Sequence, residues 1–171
     1  MGRTLASALL FQLAWFVCVL VPAPGIVLAV TVLNLAVHAR FLDRSARQWL
    51  WLAVVFIAGA ALDTMLFQLG VLQNRDFAAV PPFWLLCLWL NFAAALRTAF
   101  AFLQRNLWLA AALGALAGPA SYLSGSLLNG SVDLQRPLAV SLAVLAVVWA
   151  LLLPLFAGLA RRPCFLGARC V

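Results

Sequence analysis

Few residues in this chain could do chemistry. Asp63 and Arg97 are formal charges inside long apolar runs, and redrawing the ends of those runs does not move either into water. A charge at mid-bilayer costs roughly 2.5–3.5 kcal/mol on insertion scales, so a carboxyl there is a candidate proton or ligand site. The competing reading is an Asp held by hydrogen bonds that fixes helix packing. His38, the only histidine, precedes Asp43 in a His-x-x-x-x-Asp spacing, where a carboxylate could orient an imidazole base. No Gly-x-Ser-x-Gly elbow, phosphate loop or His-Glu-x-x-His motif accompanies them. One His and no Glu leave too few ligands for a metal cage. The residues therefore predict no catalytic centre, no metal and no cofactor, and lean away from an enzyme.

The elements that must position these residues follow from composition. Of 171 residues, 67% are hydrophobic and 9% charged, against about 25% charged in a soluble domain. The polar residues are too few to cover a globule, so lipid is the solvent. All basic residues are Arg and all acids are Asp. The +7 net charge is scattered between apolar runs, which fits loop charges that set topology and argues against a nucleic-acid patch.

Six apolar segments are expected to cross a membrane, at residues 5–21, 25–40, 49–72, 81–103, 107–128 and 138–160, followed by a short basic tail at 161–171. The first is read as an uncleaved span, because Val21-Pro22-Ala23-Pro24 lacks an Ala-x-Ala pattern. Pro22 to Gly25 reads as a tight hairpin. Arg3, then Arg40, Arg44 and Arg47, then Arg105, then Arg161, Arg162 and Arg169 fall at alternate loops. The opposite loops carry only Arg75 and Arg136, each with an acid. That asymmetry predicts an all-α polytopic membrane protein with six transmembrane helices and both termini cytoplasmic. Trp49, Trp51, Trp84 and Trp108 fall where an aromatic belt would lie.

Counting the rise along each span places Gln12, Asn34 and Arg97 about 9–14 Å from the cytoplasmic side, and Asp63, Asn91 and Tyr122 roughly 20–24 Å from it. Asp63 is too short to reach either surface and is expected to face a polar core with Asn91 and Tyr122. Arg97 points about 120° away from Asn91 on a continuous helix and is expected to snorkel to the headgroups. His38 is expected to be a solvated interfacial residue. Gly114, Gly118, Ser121 and Gly125 mark a small-residue packing face around Pro119. Cys18 and Cys87 read as packing residues, Cys164 and Cys170 as reduced thiols of the tail.

Phe11-Gln12-x-x-Trp15-Phe16, Asp63 followed by Gly70-Val71-Leu72, Pro82-x-Trp84-Leu85-x-x-Leu88-Trp89, and Gly114-x-x-x-Gly118-Pro119-x-Ser121-Tyr122-x-x-Gly125 occur in this order. Together they resemble a family of small bacterial inner-membrane proteins known as domain of unknown function 2878. The resemblance implies a multi-pass location in a Gram-negative inner membrane and supplies no activity. It also implies the lipid bilayer and fatty-acid-modifying proteins as partners, with no nucleic acid and no assigned oligomeric state. Many members carry Asn-His where this chain has Arg97-Thr98. His38 and Asp43 separately share the spacing used by glycerolipid acyltransferases, a resemblance two residues wide. Three functions are thus expected in descending order: a non-enzymatic, lipid-associated membrane component, a proton-coupled carrier using Asp63, and a lipid-modifying enzyme using His38 and Asp43.

Overall fold

The computed structural model describes residues 2–21, 23–43, 45, 47–75, 79–135 and 137–162. Pro22, Arg44, Asp76, Arg136 and the tail from 163 with Cys164, Arg169 and Cys170 lie outside the described residues. Six α-helices appear among those described: α1 (Gly2–Leu20), α2 (Pro24–Val37), α3 (Gln48–Gln68), α4 (Phe83–Leu96), α5 (Leu107–Asn129) and α6 (Leu138–Ala160). A π-helical turn, His38–Leu42, prolongs α2, and a 3-10 turn, Ala101–Arg105, precedes α5. Two short strands, β1 (Leu72–Asn74) and β2 (Val132–Leu134), pair antiparallel with Gln73 opposite Asp133. This ribbon is a small amendment to the all-α expectation and ties the α3–α4 connection to the α5–α6 connection.

Local chemistry explains most boundaries. Pro24 opens α2, where a missing N–H does no harm. Pro82 in an extended conformation caps α4. Asn106 accepts the Leu109 N–H at the start of α5. Gly70 and Gly130 leave α3 and α5 with φ of 69° and 66°, the left-handed turn that a Cβ would strain.

Five helical stretches are long and apolar enough to cross a membrane: α1, α2 with its π turn, α3, α5 and α6. The expected continuous span at 81–103 is corrected. Its α-helix stops at Leu96, and 14 residues reach only about 21 Å against a hydrocarbon core of about 30 Å. No Gly or Pro stands at the break. Two distant groups meet the chain at the break, Asp43 on Arg97 and Ser7 on Thr98, and locally the Gln104 amide donates to the Leu96 carbonyl at 3.3 Å.

α4 is the inner helix, packed against α1, α2 and α3, while α5 and α6 form a close hairpin. Two of the expected belt residues turn inward instead. Trp51 is buried and donates its indole N–H to the Ala93 carbonyl at 2.9 Å, and Trp84 donates to Ser131 Oγ at 3.1 Å. Trp49 and Trp108 stay exposed.

The packing is tightest where glycine meets tryptophan. A Cβ on Gly59 would enter the Trp89 ring, and one on Gly114 or Gly118 would collide with Trp149. Gly59→Ala and Gly118→Ala are therefore expected to destabilise by about 1–3 kcal/mol each through overpacking. Gly25→Ala, with open space around it, should stay within about 0.5 kcal/mol. Thermal unfolding of the detergent-purified protein distinguishes them, and equal melting of all three variants would refute the packing account.

Candidate functional site

Asp63 lies on the inner face of α3 and is 0% exposed. Trp89 on α4 donates its indole N–H to Asp63 Oδ2 at 2.6 Å. Tyr122 on α5 donates its hydroxyl to Oδ1. Both carboxyl oxygens are thus held, by donors from two other helices. Trp89 gets this close because Gly59, one turn earlier on α3, has no side chain to block the ring. The Trp89 ring stacks on Trp149 of α6, with centroids 5.4 Å apart and planes 4° apart. A carboxyl so enclosed can accept two directional hydrogen bonds and cross-link three helices. A small cavity of about 80 Å³ touches Trp89 and Tyr122.

A second polar cluster joins α1, α2 and α4. Asn34 Nδ2 donates to Asn91 Oδ1 at 2.6 Å, and Asn91 Nδ2 donates to Thr31 Oγ1 at 3.0 Å and to the Cys87 carbonyl at 2.9 Å. One turn on, His38 Nδ1–H donates to the Asn34 carbonyl at 2.9 Å. In a neutral ring this leaves Nε2 to accept from the Ser7 hydroxyl, also 2.9 Å away. Ser7 Oγ and Thr98 Oγ1 lie 2.5 Å apart. A hydroxyl within reach of an imidazole has the outline of a nucleophile and its base. Ser7 is 0% exposed, and its hydroxyl links α1 to the turn after α2 and to Thr98 beyond the end of α4.

Beside this cluster Arg97 Nε meets Asp43 Oδ2 at 3.1 Å, with side chains 6% and 17% exposed. Arg97 is the C-cap of α4, where a cation complements the carbonyl end of the helix. Its Nη1 has no hydrogen-bond partner among the described residues.

The model of the family described as "Protein of unknown function (DUF2878)" matches residues 4–155. The chain belongs to this family. No curated protein and no solved structure matches it. The DUF2878 match spans both polar clusters and the Trp89–Trp149 stack, and it brings no activity with it.

The structure regroups the residues expected to form one polar core in this DUF2878 chain. Tyr122 joins Asp63, while Asn91 pairs with Asn34 and Thr31 on the opposite side of α4. The helical repeat explains the division: Trp89 and Asn91 are two residues apart, about 200° around α4. Gln12 is no core residue. It lies five positions after buried Ser7, about 140° around α1, and faces a cleft between α1 and α5. The headgroup-anchoring role expected of Arg97 is corrected, because the helix ends there and Asp43 captures the guanidinium. His38 is buried and hydrogen-bonded, not solvated. Gly114 and Gly118 pack against Trp149; Ser121 instead accepts the Trp15 indole N–H at 3.2 Å, Pro119 is buried, and Gly125 leaves Trp84 at a relaxed 3.6 Å from a notional Cβ. Sequence reasoning missed Trp89, Thr31 and Ser7. The available signal was that a buried indole N–H needs an acceptor and a buried carboxylate needs donors.

Two expectations follow. Asp63→Leu orphans two buried donors at about 1–3 kcal/mol each. Asp63→Asn keeps an acceptor and should melt between wild type and Asp63→Leu; identical melting of all three would rule out the carboxyl as a cross-link. Arg97→Leu leaves Asp43 without its charge partner and should destabilise by about 3 kcal/mol, whereas adding Asp43→Leu should recover at least half of that. Failure of the double variant to recover would mean that the ion pair is not what holds the α4 break.

Proposed function

We propose that this chain is an inner-membrane protein of six spans with both termini cytoplasmic, acting as a non-enzymatic, lipid-associated component of the membrane. Five long apolar helices support the spanning reading. On this reading α4, the turn after it and the 3-10 turn together make the sixth crossing, with Ala99 and Leu103 of the irregular stretch buried against the bundle. Arg3, Arg105 and Arg161 then share one side, with the β ribbon on the other, in keeping with the positive-inside rule.

The observation that carries the non-enzymatic reading is the enclosure of Asp63, whose two oxygens are both taken by ring donors. A carried proton or solute needs a route to the carboxyl, and here packing closes it. His38 and Asp43 line one very small cavity, but each is committed elsewhere, to Ser7 and to Arg97. The partners of such a component are bilayer lipids and the proteins that modify their fatty acids.

A carrier using Asp63 is the second reading, favoured by the cavity against Trp89 and Tyr122. Proteoliposomes loaded with a pH-sensitive dye separate the two. The component reading expects no protein-dependent proton flux; flux that Asp63→Asn abolishes would replace it with the carrier. For topology, green fluorescent protein fused after the last residue should fluoresce and alkaline phosphatase fused there should be inactive. The reverse result would overturn the cytoplasmic C-terminus.

A further inference from the structure

The Asp63 cross-link leaves the opposite side of α5 uncovered. Between α1 and α5 runs a cleft of about 510 Å³, floored by Phe92 and Phe100 and by Trp149 and Leu153 of α6. This lies within the range of about 300–1,000 Å³ typical of pockets for small organic ligands. Gly114 and Gly118 are taken up by Trp149, but Ala117 and Ala120 remain exposed and open the wall. Among the described residues no charged side chain lines the cleft. The smaller cavity continues it toward the β ribbon and shares Phe11, Trp15, Phe92, Ser121 and Trp149 with it. The Trp15–Ser121 hydrogen bond crosses between α1 and α5 at this partition.

Position and lining select the occupant. The larger cleft follows the central turns of α5 from Leu113 to Ser124, about 16 Å of helix. In a bilayer-spanning chain those turns lie at the depth of the hydrocarbon core. The lining is aromatic, aliphatic and small, with Gln12, Ser121 and Ser124 its polar side chains, so it offers a headgroup no charge partner and an alkyl chain an apolar wall. We propose that the cleft holds a single acyl chain of a membrane lipid, lying along α5 with the Trp15–Ser121 contact as its stop. This rests on the bilayer-spanning reading above, since the cleft must open onto hydrocarbon.

The test uses the full chain in vesicles of phosphatidylcholine carrying a diazirine midway along one acyl chain. Photolysis followed by residue-resolved mass spectrometry should give at least fivefold more adduct at Gln12, Ala117 and Ala120 than at the outward residues Leu116, Val147 and Leu151. Ala117→Trp fills the slot and should reduce the cleft adducts at least fivefold while sparing the outward ones. Ala120→Trp serves the same purpose should the first variant not fold. Cleft labelling no stronger than outward labelling, or insensitive to both fillings, overturns the proposal. So does a chemical cross-link between Gln12→Cys copies that protects the cleft, which would assign it to a second copy. Absence of adducts on both cleft and outward residues would overturn the bilayer-spanning reading as well.

Discussion

The Trp89 indole is the piece on which the rest of the packing depends. Its N–H is given to Asp63, one face covers Gly59, and the ring stacks on Trp149, which occupies the space left by Gly114 and Gly118. Four helices therefore meet through two aromatic rings. Directional hydrogen bonding sets the ring's position, and the absence of side chains at three glycines allows the close approach. Neither feature suffices alone. A buried indole without an acceptor is destabilised, and an acceptor without the glycine gap cannot be reached.

The same constraint divides the polar residues. With Trp89 committed to α3, the opposite face of α4 must satisfy Asn91, and it does so through Thr31 and Asn34 of α2. The ladder continues through His38 to Ser7 and Thr98, so α1, α2 and α4 are joined by side chains of ordinary polarity and one imidazole. In hydrocarbon such bonds persist because no water competes for their partners. The ion pair of Arg97 with Asp43 closes this side where α4 ends. A helix that stops short in this way exposes carbonyls, and Gln104 and the Arg97 cap answer part of that demand.

This arrangement concentrates packing around α4 and leaves a cleft at one seam. Aromatic and hydrogen-bonded contacts concentrate around α4, whereas α1 and α5 meet across a cleft bridged by Trp15 and Ser121. Chemistry at Asp63 would have to open the bundle. The α1–α5 seam, by contrast, is already open along the middle of α5.

Much of the fold was legible in the residues themselves. Apolar runs of bilayer length, separated by short Arg-bearing loops, define the helices because composition and length decide whether a segment can live in lipid. Asp63 stands out for the same reason, and the Gly114 and Gly118 positions announce close approach. Partner choice was not legible. Depth along a helix gives a level but no rotation between neighbours, so Asn91 looked as near to Asp63 as Tyr122 did. The break after Leu96 has no local signal, since Arg97-Thr98-Ala99-Phe100 contains no helix breaker, and the carboxylate that meets Arg97 there comes from the distant α2–α3 connection. Sequence alone determined which segments are apolar and which polar groups they must satisfy, because those are properties of one chain segment. Only the tertiary structure decided who satisfies whom, because hydrogen bonds and ion pairs depend on the angles and distances between helices.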